Sequence, residues 1–212
     1  MAKSFSKSFK KLSDVLTELQ IQHQTQVPFV ITEQMKATAI FNEDLEFVFH
    51  RVPYNTSEFA ICENLIYPTL KEVWKLYADI FNMWSRALIQ LNLNIKGYPD
   101  YLIAKRSPLS SVVFDMPYMA VVEAKKDDFS GAWGQCLYEM YTIQQLNGNP
   151  DFPVFGITSS GLVWQVGKLE NNVFTEYENL YLIQDIDTLL SALKTLFETC
   201  KKNATQYGYL KP

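Results

Sequence analysis

Hydrophobic and polar residues alternate along this chain with two clear periods. Phe5, Phe9, Leu12, Leu16 and Leu19 recur at helical spacing with Lys and Glu between them, which predicts an amphipathic helix over 3–22. "LEFVFHRV" (45–52) is rich in aromatic and β-branched residues and reads as a strand. Ser57 then precedes "EFAICENLIYPTLKEVWKLYADIF", an N-capped helix that Pro68 kinks or breaks. "ALIQLNLNI" reads as a further strand, closed by the turn residues Gly97 and Pro99. "DYLIAK", "SVVF" and "YMAVVEAK" follow as strands, and a helix over about 130–145 stops at "NGNP". "FPVFGITSSGLVWQVGKL" is a hairpin turning at Ser159-Ser160-Gly161, extended by "VFTEYE". A last helix over 185–204 gathers Ile186, Leu189, Leu190, Leu193, Leu196 and Phe197 on one side.

This order predicts an α/β fold, a mixed sheet with helices on both faces. Within it "YMAVVEAK" has the character of a central strand. Met119, Val121, Glu123 and Lys125 are expected on one face, and Ala120, Val122 and Ala124 on the other. Both faces stay apolar until Glu123, so the charged pair emerges at the strand's carboxyl end, where open α/β sheets bind ligands.

Composition narrows the functional classes. The 212 residues suit one domain, 48% hydrophobic and 20% charged, with a core rich in aromatic rings. The net charge of −4 argues against coating nucleic acid by bulk electrostatics, and the three arginines leave little for guanine reading. Cys62, Cys136 and Cys200 are odd in number, widely spaced and not paired with His at zinc-like intervals. With no secretory leader and no membrane-length apolar run, reduced thiols in a cytoplasmic protein are expected. No phosphate-binding glycine loop or nucleophile elbow is present, and His23 and His50 lie in unrelated contexts.

Candidate chemistry gathers around Glu123. "GYPD" sets Asp100 at the start of a strand that can pair with 118–125, bringing two carboxylates together. Convergent carboxylates are what a hard cation such as Mg²⁺ requires, with Mn²⁺ as a substitute. Lys125 beside them could hold water and offset phosphate charge. Lys105, Arg106 and Lys126 could form a basic rim that meets nucleic acid. Each residue also has a plainer job open to it: a surface ion pair for Glu123 and Lys125, or a turn cap for Asp100. Glu58 could be a first-turn helix charge and Gln135 a solvated helix residue. Asp127 and Asp128 are assigned to capping. Asp115 is a candidate to substitute for Asp100 but is assigned to the hairpin turn.

"PD", a spacer and "EAK" together resemble the PD-(D/E)xK nuclease superfamily. "SEFAICENLIYPTL" looks like the helix of type I restriction-subunit nuclease domains, and the whole fits cyanobacterial-type members best. The resemblance covers about 57–165, as a nuclease-like core between an N-terminal helix (1–25) and a C-terminal helix (185–206). It implies a restriction-endonuclease-like fold and Mg²⁺-dependent hydrolysis of DNA, in restriction, repair or DNA rearrangement. It implies that Asp100, Glu123 and the Ala124 carbonyl hold the metal, and that Glu58, with Glu63 as runner-up, supports it. Lys125 is then the water-positioning residue, and Gln135 orients the Lys125 region. The Q-x-x-x-Y pattern of the recombination nucleases is not met, since Glu139 stands at the Tyr position. DNA is the implied partner, with a homodimer left open and no membrane. The competing expectation is an inactive scaffold that binds nucleic acid or protein.

Overall fold

A computed structural model describes residues 11–126 and 129–211. Helix α1 (Leu12–Leu19) ends where Gln20 turns left-handed, and strand β1 (Gln22–Val27) follows at once. The predicted helix therefore stops three residues early, and its first eight residues lie outside the described residues. β1 is all but polar and mostly exposed, so no alternation marks it in the sequence.

The strand expected over 45–52 is instead part of helix α2 (Ala39–Arg51). Phe41, Leu45 and Val48 already stood at helical spacing, and that period outweighs the β-propensity of individual residues. Thr38 caps α2: its hydroxyl accepts from the Phe41 amide (3.2 Å) and donates to buried Glu72 (2.8 Å). The Ser57 cap forms as expected, the hydroxyl accepting from the Ala60 amide. It opens one helical run: α3 (Glu58–Ile61), a π-helical turn (Cys62–Ile66) and α4 (Tyr67–Trp74). Pro68 falls in the first turn of α4, so its missing N–H is absorbed next to the wide turn and the run continues.

The expected helix over 58–81 stops at Trp74: 75–80 form turns, and only its last residue enters strand β2 (Phe81–Ser85). The expected strand over 87–95 shrinks to a small hairpin, β3 (Ile89–Gln90) with β4 (Lys96–Gly97). β5 (Tyr101–Arg106) and β6 (Phe114–Ala124) then pair antiparallel. Of "SVVF" only Phe114 is strand, and Asp115 lies inside β6 opposite Lys105, not in a turn. α5 (Phe129–Asn147) crosses to β7 (Val154–Ser159), which runs parallel to β6. β8 (Val163–Glu170), β9 (Val173–Leu182) and α6 (Ile186–Gln206) complete the chain. At the β7–β8 turn Gly161 has φ +82°, and an added Cβ would meet Ile61 at 2.8 Å, so glycine lets this turn pack on α3.

The seven-stranded sheet has the order β1-β9-β8-β7-β6-β5-β2 and is mixed. On one face α3, the π turn, α4 and α6 bury Ile61, Leu65, Leu70 and Phe197 against Ile103, Val122 and Ile157. On the other, α1 and α5 bury Val15, Leu137 and Met140 against Leu102 and Val121. Each such side chain contributes about 1.5–3 kcal/mol by leaving water. This is an α/β architecture consistent with the restriction-endonuclease-like fold expected. One detail of face assignment differs. Ile103 pairs with Ala120 and Ala104 with Tyr118, so Met119 is a bulge residue that packs on the α3–α6 face, away from Val121. All three cysteines are buried free thiols. Among the described residues no helix is long and apolar enough to cross a membrane.

Candidate active site

The β5–β6 register pairs Tyr101 with Val122, and one further step sets Asp100 opposite Glu123. Both side chains belong to the α5 face, in phase with Leu102 and Val121. The turn before β5 is fixed by side-chain and backbone bonds. Asp100 Oδ2 accepts from the Ala124 amide (2.9 Å), and Asp100 Oδ1 accepts from Arg86 Nη2 (3.2 Å). Arg86 sits at φ +51° and its own amide donates to the Asp100 carbonyl (3.1 Å). Burial raises the Asp100 pKa, a shift opposed by the Ala124 N–H, Arg86 and Lys125 and reinforced by Glu58.

Glu123 is 1% exposed and so is Glu139, which reaches it from α5. Glu139 Oε1 accepts from the Tyr98 amide (3.1 Å), and the Gln135 side chain hydrogen-bonds the same carboxyl from one turn earlier. Gly97 makes room: a Cβ there would lie 2.8 Å from both Cγ and Oε1 of Glu139. Burial is the main cause that lifts both acids, Glu123 well above the usual carboxylate range and Glu139 to about 7. The two carboxyls face one another in this dry setting, and the proximity of Glu139 raises Glu123 further.

Four buried side-chain polar atoms among the described residues have no hydrogen-bond partner, and three of them cluster here. They are Glu123 Oε1, Glu139 Oε2 and the hydroxyl of Thr158, the residue paired with Glu123 on β7. Orphaned oxygens in an interior call for a proton or a cation. Lys125 follows β6, its amide bonded to the Ser159 carbonyl (2.9 Å) and its Nζ 3.6 Å from Glu58 Oε2. It lowers the pKa of both Asp100 and Glu123.

Asp100, Glu123, Ala124, Lys125 and Glu58 thus meet at one end of the sheet. Gln135 joins them through Glu139, its hydrogen-bond partner, rather than in the Lys125 region. Glu63 does not: it lines a surface cavity with Phe41, Leu45 and Val48. Lys105 and Arg106 sit at the far end of β5, on Asp115 (3.0 Å) and the Ala78 carbonyl (2.7 Å). They do not rim the site. Lys126 is exposed beside Lys125. Asp127 and Asp128 lie outside the described residues. His23, paired with Glu176 on the β1 edge, and exposed His50 are on other elements. Burial pushes the Cys62 thiol up to about 12 and Cys136 higher than usual, which makes neither a nucleophile.

Two site residues escaped the sequence reading. Glu139 is legible only as the residue one helical turn after Gln135, inward-facing on an otherwise apolar stripe. Arg86 had no signal beyond the scarcity of arginine.

The donor set suits a Mg²⁺ ion. Among the described residues no three His, Cys, Asp or Glu side chains group so as to enclose a metal by themselves. Mg²⁺ asks for less: one or two carboxylates, with water and substrate oxygens completing six positions. Asp100 and Glu123 could supply these, beside the orphaned carboxyl oxygens noted above.

No family model matches the chain, and no curated protein matches it. Among solved structures it is similar to a chain of the DrdV–DNA complex determined by cryo-electron microscopy, at 15% identity and a TM-score of 0.42. That likeness covers 74% of this chain and 13% of the other, so this chain spans about an eighth of its length.

Proposed function

We propose that the protein is a Mg²⁺-dependent deoxyribonuclease that hydrolyses phosphodiester bonds. The observation that carries this reading is the register that sets Asp100 opposite Glu123, with Lys125 two residues on, at the carboxyl end of a central strand. Asp100, Glu123 and the Ala124 carbonyl would hold the cation, with Glu58 nearby through Lys125. When bound, Mg²⁺ polarises the phosphate and lowers the pKa of a bound water. The Lys125 ammonium, steadied by Glu58, orients that water and offsets charge on the phosphate oxygens. Arg86 and the Ala124 amide hold the Asp100 carboxyl in place. Glu139 fixes the rotamer of Glu123 from α5, with Gln135 and the Tyr98 amide fixing Glu139 in turn.

A second reading, an inactive scaffold that binds nucleic acid or protein, is favoured by the internal ion pairs. Arg86 already matches Asp100, and Glu58 matches Lys125. Metal binding separates the two. Supercoiled plasmid and single-stranded DNA are to be incubated with wild type, Asp100→Ala and Lys125→Ala in Mg²⁺ or Mn²⁺. Cleavage by wild type alone supports the nuclease; no cleavage, together with no Mn²⁺ uptake, overturns it in favour of the scaffold.

A further inference from the structure

Phe59 and Tyr67 are exposed rings on the helical run that also carries Glu58, 58% and 36% exposed respectively. In a regular α-helix residues eight apart diverge, because two turns take about 7.2 residues. The π turn Cys62–Ile66 lies between these two, and its wider i→i+5 bonding adds most of one residue. The step from Phe59 to Tyr67 therefore closes two turns, and both rings leave the helix on one side. Their contacts agree. The Arg86 guanidinium that holds Asp100 lies 3.7 Å from the centre of the Phe59 ring. Tyr67 stacks on Tyr101, the residue after Asp100, with ring centroids 6.0 Å apart. Lys71 Nζ stands 5.4 Å from the Tyr67 ring, so each ring has a cation over it.

We propose that Phe59 and Tyr67 are stacking platforms for unpaired bases, and that the substrate entering this site is single-stranded DNA. The inference rests on the reading of Asp100, Glu123 and Lys125 as a phosphodiester-cleaving centre. A chain of net charge −4 with three arginines neutralises few phosphates, so affinity must come from another source. Base stacking on aromatic rings supplies it without sequence preference, and flanking cations meet the backbone. A duplex hides its base faces and offers these rings nothing. Both rings adjoin residues of the site: Phe59 follows Glu58, and Tyr67 stacks on Tyr101, the residue after Asp100.

The test is fluorescence anisotropy with labelled oligothymidylate and a labelled hairpin duplex, in EDTA so that binding is read apart from cleavage. Wild type is expected to bind oligothymidylate more tightly than the duplex. Phe59→Leu and Tyr67→Leu, which keep apolar contact but lose the flat ring, should each weaken oligothymidylate binding about ten-fold. Their circular dichroism should match wild type, and Phe59→Trp should restore binding. Tighter duplex binding, wild-type affinity in both leucine variants, or no oligothymidylate binding overturns the inference. The last result would leave the rings as a surface for a protein partner. Duplex cleavage with unaffected leucine variants also overturns it, while leaving the nuclease intact. Ring-dependent binding with no cleavage in Mg²⁺ upholds the platforms and counts against the enzyme.

Discussion

Glu123 of β6 meets Glu139 of α5 carboxyl to carboxyl, and burial raises the pKa of both acids. Neither is open to solvent, and each keeps one oxygen that no N–H or O–H of the protein reaches. An interior that accepts such a pair gives up stability for it, since an apolar pair of the same shape would be satisfied without a proton.

The first prediction follows from the direction of these shifts. Both acids have folded-state pKa values above the ordinary 4.5, Glu139 at about 7. Below about pH 4.5 folded and unfolded chains are both protonated, and the stability from this pair is fully present. As pH rises toward 7 the unfolded chain releases its protons first, so that stability is lost through the folded-state range. Glu139→Gln removes one titrating group. The fall in melting temperature between pH 5 and pH 8 should therefore be smaller in the variant, by about 3 °C or more. Equal falls in both proteins would show that the pair does not titrate as described.

Burial raises the pKa of Asp100 and Glu123, so a cation there competes with protons and its binding should strengthen with pH. Added Mn²⁺ should raise the melting temperature at pH 8 far more than at pH 5.5. At a hundred-fold excess over Kd the gain is about 2.7 kcal/mol. Asp100→Asn and Glu123→Gln should abolish it, whereas Lys125→Ala should leave it, since Lys125 is not a ligand. A Mn²⁺ shift that survives in Asp100→Asn would place the metal elsewhere.

Gly97 and Glu139 should be energetically coupled. An alanine methyl at position 97 would stand 2.8 Å from the Glu139 carboxyl, in a buried site with no slack. Gly97→Ala should cost about 1–3 kcal/mol in urea unfolding. In the background of Glu139→Ala the same change should cost less, with a coupling of at least about 0.5 kcal/mol. Additive costs would mean that the hairpin β3–β4 moves aside freely.

The central strand was readable because its signal is local: an apolar, β-branched run on both faces reads as a buried strand, and it stays buried through Glu123 and Ala124. The hairpin turn after Ser159, the Ser57 cap and the last helix were readable for similar reasons. α2 was misread because Phe47, Val48 and Phe49 favour strands one by one, while the packing of Phe41 and Leu45 sets a helical period. β1 gave no signal at all, since its exposed edge residues are ordered by pairing with β9 rather than by burial. The same holds within the site. Asp100 and Glu123 are joined by a register the turn residues suggested. Glu139 and Arg86 come from segments whose approach depends on how α5 and the chain before β3 pack, which no short motif encodes.

Lys105 and Arg106 test whether spatial position or sequence proximity governs contact with nucleic acid. Both follow Asp100 closely in the chain, yet a strand carries Lys105 roughly 16 Å away over five residues. There its ammonium is 3.0 Å from Asp115, while Arg106 donates to the Ala78 carbonyl. Lys126 is farther from Asp100 in sequence but exposed next to Lys125. Lys105→Ala should therefore leave DNA affinity within about two-fold of wild type, and the salt dependence unchanged. Lys126→Ala should weaken binding to every sequence alike and reduce the slope of log K against log salt by about 0.7 on a single strand. Anisotropy titrations across a range of NaCl concentrations measure both. A loss of slope in Lys105→Ala would mean that nucleic acid runs the length of β5, far beyond the carboxylate site.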